Sequence, residues 1–434
     1  MPDFVFSRDS REGDGFVSQS AGHPVPLPFV RAASAASFSS RIECRIKSSR
    51  LKPLLRKAAA FGLLASLVFL LSSCRREPEP VQFHADGYPA KLSDWNVVYR
   101  DGDKLALNSG VVPFDLNTPL FSDYAHKLRT VWMPQGTAAR YQAKESFDFP
   151  VGTVLSKTFY YPKAAGANRD AVARNDDASR DHAGEGLDLR HVRMIETRLL
   201  VHRAQGWVAL AYVWNAEQTE AELARTGDSV PLQLVAADGS REDFTYQVPD
   251  QNQCAGCHAS NNTTRLIQPL GPKARHLNRD YGYASGSENQ LRHLARVGYL
   301  TGVPGAGVPR NADWRDAARA SLDDRARAYL DANCGHCHNA HGPADTSGLM
   351  LDIGDHEPRH LGLCKPPIAA GRGTGGHRFG IVPGNPDESI LAYRMDSDDP
   401  GVMMPELGRD VVHREGVELI RAWIAAMEGG CGEA

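Results

Sequence analysis

The rhythm of hydrophobic and polar positions changes near residue 250. Before it, over residues 95–249, the pattern is strand-like. Val154-Leu155-Ser156-Lys157-Thr158-Phe159-Tyr160-Tyr161 is dense in β-branched and aromatic residues, which suit a pleated, half-buried surface. Residues 196–201 and 207–214 flank Ala204-Gln205-Gly206 and read as a hairpin. Residues 232–236 and 243–248 flank Asp238-Gly239, a two-residue turn signal. Between residues 164 and 186 the chain is polar and nearly free of large apolar side chains, which predicts a mobile surface loop. Together these segments predict a β-rich, sandwich-like domain over residues 93–249.

After residue 249 the pattern predicts short helices separated by Gly/Pro loops. Residues 322–333 have Ser321 as N-cap and Ala326, Tyr329 and Leu330 on one face. Residues 415–427 carry Val417, Ile420, Trp423, Ile424 and Met427 on one stripe, with Gly429-Gly430 as a stop. The connection between these helices has little regular pattern and far exceeds the roughly 15 residues beyond which structureless loops are uncommon. Such a length fits a compact domain when something other than protein fills the core.

The N-terminus has a different character. Arg50, Lys52, Arg56 and Lys57 precede an unbroken small-and-apolar run over residues 58–71. That run is short of the roughly 20 residues a membrane-spanning helix needs, and matches the apolar core of a secretory signal. It ends in Leu71-Ser72-Ser73-Cys74, which resembles a bacterial lipobox with Cys74 as the lipidated residue. Residues 1–73 therefore read as a removed leader and 74–92, polar and holding three prolines, as a tether. Residues 1–49 are an overlong lead for such a signal, which points to a true start further along. Arg75 follows the cysteine rather than an aspartate, and resemblance to sorted bacterial lipoproteins then implies the outer membrane as the expected location.

Composition narrows the class. Of 434 residues, 42% are hydrophobic and 23% charged, which excludes collagen-like, wholly disordered and multi-span membrane chains. A net charge of −3 offers no basic excess for nucleic acid. Eight cysteines are too few for a disulfide scaffold in a chain this long.

Four of those cysteines carry the functional expectation. Cys254-Ala255-Gly256-Cys257-His258 and Cys334-Gly335-His336-Cys337-His338 are both Cys-x-x-Cys-His, the attachment motif of c-type haem. Two thiols three positions apart reach the two vinyl groups of one porphyrin, and the adjacent histidine lies under the iron. Zinc ribbons pair such clusters at about 15–20 residues and lack the trailing histidine, so the wide separation here disfavours zinc. The expected cofactors are two haem c, with Cys254, Cys257, Cys334 and Cys337 as attachment points and His258 and His338 as proximal ligands. Helix, motif, irregular loop, methionine and C-terminal helix make residues 311–434 similar to class I cytochrome c domains. The distal candidate there is Met404 in Met403-Met404-Pro405-Glu406-Leu407-Gly408, with Met403 as runner-up. Residues 250–310 form a first haem-binding segment that departs from this pattern, with no methionine near. His276 is its distal candidate and His293 the alternative, and an open five-coordinate site is a third possibility. Cys364 and Cys431 are left over, and in an oxidising compartment such cysteines often pair. The expected fold class is α+β multidomain, a β-rich domain followed by a mostly α, cytochrome c-like haem region.

With these residues in place, the chain resembles a family of dihaem c-type cytochrome lipoproteins of Gram-negative bacteria. The resemblance rests on Pro119-Leu120-Phe121-Ser122-Asp123-Tyr124, Phe149-Pro150-Val151-Gly152-Thr153, Val213-Trp214-Asn215, both haem motifs, Ile381-Val382-Pro383-Gly384 and Met404-Pro405-Glu406-Leu407-Gly408. It implies two haems in an exported protein; the doubled motif behind a lipoprotein signal adds the expectation of a lipid-anchored periplasmic electron carrier with a redox partner protein. The alternative is a dihaem, peroxidase-like enzyme in which one haem keeps an open position.

Overall fold

The computed structural model of the chain describes residues 77–432, apart from 167, 176, 177 and 369. Cys74 and the apolar run of the leader lie outside the described residues. Six strands follow one another across a central antiparallel sheet in chain order: β1 (Val112–Phe114), β2 (His126–Trp132), β3 (Val154–Pro162), β4 (Val192–Arg203), β5 (Gly206–Trp214) and β6 (Ala221–Leu223). Each pairs antiparallel with the next, so the sheet is a meander. The β4–β5 hairpin turns where the sequence places it, with Arg203 opposite Gly206.

Side chains alternate between the two faces of the sheet. One face presents Leu128, Val154, Tyr160, Leu199, Val201, Leu210 and Tyr212, and buries Trp95 and Leu92 against them. The Trp95 indole N–H donates to the Tyr212 hydroxyl at 2.7 Å, which satisfies both polar atoms inside this core. Val81 and Phe83, in the extended segment before the sheet, pack on the same cluster.

The opposite face is covered in two parts. At one end Val131, Leu155, Leu200 and Ala209 meet Phe147, Phe149, Cys254, Leu277, Leu291 and Leu294. At the other, Phe159, Tyr161, Ile195 and Ala211 meet Val172, Leu232, Leu234, Tyr246 and Val248. That second cover is a three-stranded sheet made of the hairpin Asp228–Val235 and Arg241–Val248 with Ala171–Ala173 added in parallel. The polar stretch expected to be a mobile loop thus supplies a strand, because Val172 is an apolar anchor with no exposure.

The expectation of a mostly α, cytochrome c-like haem region is overturned. Strand makes up 27% of the structure and helix 18%. The described residues hold six α-helices, α1 (Gln251–His258), α2 (Ala274–Leu277), α3 (Gln290–Arg296), α4 (Leu322–Asn333), α5 (Ile390–Met395) and α6 (Arg414–Ala425). The longest has 12 residues. Between α4 and α5 the chain runs through turns and short 3-10 segments. Frequent Gly and Pro there stop helical bonding from propagating, and tertiary bonds replace it, such as Leu351 N–H to His338 O at 2.8 Å. α4 and α6 share a core through Ala326, Tyr329, Leu330, Ile420, Trp423 and Ile424. A disulfide joins Cys364 to Cys431. Among the described residues no helix is long and apolar enough to cross a membrane.

Candidate cofactor-binding site

The first motif is a helix in itself. Asp250 caps α1: its carboxylate accepts the Gln253 backbone N–H at 2.8 Å, and the Gln253 side chain accepts the Asp250 N–H at 2.9 Å. This reciprocal box satisfies two of the donors that a helix start leaves open. One turn later it sets Cys254 and Cys257 on successive turns, with His258 as the last helical residue. His258 Nδ1 lies 2.7 Å from the Gln268 carbonyl. A carbonyl only accepts, so Nδ1 carries the proton and Nε2 keeps its lone pair. Burial first, then the nearby Lys157 charge, holds this imidazole down to about 4, so it is neutral at pH 7.

The second motif follows α4 and is built on turns. Cys337 N–H and His338 N–H both donate to Cys334 O, at 3.0 and 2.9 Å. His338 Nδ1 lies 3.2 Å from the Ser347 hydroxyl, which spends its own proton on Ala344 O at 2.7 Å. Ser347 therefore accepts from His338, and Nε2 is again the free nitrogen. Burial holds His338 down to about 4 as well.

All four motif cysteines are free thiols. Burial raises Cys254 and Cys257 and pushes Cys334 and Cys337 up to about 12. The two motifs lie side by side. Asn262 donates from its backbone to His341 O at 2.7 Å and from its side chain to Gly342 O at 2.9 Å. They share one cavity of about 1160 Å³, larger than the roughly 300–1,000 Å³ of an ordinary ligand pocket. Its wall includes Cys254, Cys257, His258, Cys334, His276, Met403 and Met404, while Cys337 and His338 sit outside the wall on the turn that follows. Among the described residues no group of three His, Cys, Asp or Glu side chains converges on a point. The side chains alone thus offer no closed zinc site of the kind that needs four ligands.

The remaining predicted residues separate. Met404 is half-buried in the wall, with its N–H on Arg394 O and its carbonyl accepting from Arg409, both at 3.0 Å. Met403 is also in the wall and more deeply buried. His276 is buried in the wall with no hydrogen-bond partner for Nδ1, and its Nε2 is 3.6 Å from Asp331. His293 is outside the cavity, stacked on Tyr283 at 3.4 Å between ring centroids.

Sequence reasoning missed three parts of this site. One is His413, buried in the wall, 2.8 Å from the Tyr329 hydroxyl and stacked on Phe121. Another is a clamp from residues 119–124. Asp123 accepts the N–H groups of Asp410 and Val411 at 2.7 and 2.9 Å, and Phe121 N–H donates to Asn333, beside Cys334, at 2.8 Å. Asp123 and Tyr124 hold φ of 48° and 61°, which costs energy in residues other than glycine and marks an over-determined segment. The third is a row of cations on the cavity face of the sheet. Comparison with protein-family models, with curated proteins and with solved structures finds no match to this chain.

Proposed function

We propose that this protein is an exported dihaem c-type cytochrome that carries electrons through two covalently attached haems. The observation that carries the reading is the matched state of the two motif histidines. Each commits Nδ1–H to an oxygen, which leaves the Nε2 lone pair available, and among the described residues both cysteines of each motif are free thiols. Iron-ligating histidines are oriented by such an outer hydrogen bond. A closed zinc site lacks its ligands here, whereas porphyrin brings four donors of its own.

Cys254 and Cys257 would hold one haem with His258 below it, and Cys334 and Cys337 the other with His338. The bound group supplies an iron that alternates between ferric and ferrous states. Met404 would face the second iron, held by its two backbone bonds. His276 would face the first, through the nitrogen that has no hydrogen-bond partner among the described residues. Haem attachment outside the cytoplasm agrees with export and anchoring through Cys74, and the electrons would pass to a redox partner protein.

Haem staining after denaturing electrophoresis, on protein made with a c-type maturation system, tests this. Stain should halve when Cys254 and Cys257, or Cys334 and Cys337, become serine, and vanish when all four do. Unstained wild type overturns the reading. Met404→His should abolish the far-red sulfur-to-iron band of the oxidised protein and lower one potential, since imidazole favours ferric iron more than a thioether does. Met403→Leu should leave both unchanged. A high-spin haem that reacts with peroxide would favour the enzyme reading instead.

A further inference from the structure

The cavity face of the central sheet carries charge where a sheet interior normally carries none. Arg129 on β2 stands directly opposite Lys157 on β3, and Lys157 directly opposite Arg198 on β4. Lys127 lies two residues along β2 on the same face. All four line the cavity. The row falls in the gap between the two apolar covers of this face, Leu155 and Leu200 on one side and Phe159 and Ala211 on the other.

Like charges directly opposite each other on neighbouring strands destabilise a sheet, so each cation needs a compensating group. Arg129 has Asp115 at 2.8 Å. Arg198 has the fully buried Glu196, held through both Nε, at 2.9 Å, and Nη2. Lys127 donates to Leu120 O and Ala125 O at 3.0 and 2.9 Å. Lys157, in the middle, has neither a hydrogen bond nor an ion pair among the described residues, only the Phe159 ring 5.0 Å below its Nζ. Burial, then the Arg198 and Arg129 charges, brings Lys157 down to about 7. The compensation missing at the centre of the row is an anion.

We propose that Arg129, Lys157 and Arg198 form an anion-binding wall that takes a carboxylate or small oxyanion inside the cavity, with Lys157 as its central donor. A guanidinium on each side of an ammonium suits an acid group, which each Arg meets with the N–H donors that its own carboxylate partner leaves free. Two sources share this chemistry: the propionate carboxylates of a haem held in the cavity, and a free anion entering it. The haem source rests on the two-haem reading; the wall itself does not.

The test uses purified holoprotein as wild type, Lys157→Met and Lys157→Arg. Inorganic phosphate is titrated by calorimetry at constant ionic strength, and each haem's midpoint potential is followed against pH. A free-anion site predicts saturable phosphate binding that weakens at least about tenfold in Lys157→Met, as loss of a charge-assisted bond should, and persists in Lys157→Arg. A haem carboxylate predicts no phosphate binding. Lys157→Met should then lower one midpoint potential and move the pH region where that potential falls to higher pH, because a carboxylate that loses its cation is harder to ionise. Lys157→Arg should restore both. The proposal is overturned if phosphate binding is the same in wild type and Lys157→Met. It is equally overturned if phosphate does not bind and the pH region stays in place in Lys157→Met, whether or not the potential moves. Haem staining of the same samples separates the readings: unstained protein defeats the two-haem reading, and phosphate binding alone then decides the wall.

Discussion

Around Cys254 and Cys257 the chain folds on its own neighbours: one eight-residue helix, its cap at Asp250, and a histidine tied to a carbonyl ten residues on. Around Cys334 and Cys337 the local turns are braced by bonds from far away. Asp123 reaches Val411 across 288 positions, Phe121 reaches Asn333 across 212, and Cys364 and Cys431 close a span of 67. A motif set by local bonds keeps its shape when distant parts loosen. One set by long-range bonds is coupled to the whole fold, and should be the first to deform.

The largest effect should follow Asp123→Ala, which orphans two buried N–H groups at about 1–3 kcal/mol each. Relief of the desolvation that raises this carboxyl to about 7 offsets part of that cost. We expect a net loss of about 2–4 kcal/mol in urea unfolding. Only the haem proposed at Cys334 and Cys337 should change its spectrum; an equal change at both proposed haems would break the contrast between the sites.

His413 gives the next effect. Burial, opposed by Glu415, lowers its imidazole to about 4 from 6.5. The unfolded chain therefore takes up a proton first as the pH falls. Stability from this group is complete above about 6.5 and declines as the pH drops towards 4, by about 3 kcal/mol. Urea midpoints from pH 7 to 4 should fall less steeply in His413→Gln. An unchanged slope would show that His413 is already charged in the fold.

The smallest effect belongs to the first motif. Asp250→Ala removes one N-cap, worth about 1 kcal/mol. It should lower the unfolding midpoint slightly and leave both haem spectra intact. A lost Cys254/Cys257 haem would show that this helix is less self-sufficient than its bonds imply.

The same division explains what could be read from the chain. The β4–β5 hairpin and both motifs depend on residues close in sequence, so spacing and turn chemistry reveal them. The capping box at Asp250 and Gln253 is equally local, yet the strand Arg241–Val248 ends only two residues before α1 and its alternating pattern masks the helix start. The second motif looked the more regular from its flanking helices, and the mostly α expectation grew from that. Gly- and Pro-rich turns closed by tertiary bonds leave no periodic trace. The cationic row was visible only as single Lys and Arg residues inside apolar strands. Their alignment requires the register that places Lys157 opposite both Arg129 and Arg198. His276 and Met404 were found by residue type, and the shared cavity that unites them with both motifs was not.

The central claim is that two motifs with different local structure each hold one haem. The haem content of the purified mature chain, measured by pyridine haemochrome absorbance against protein concentration and by intact mass, tests it most directly. The account predicts two haems per chain, both retained after denaturation and acid-acetone extraction. One haem, or none that survives extraction, would contradict it.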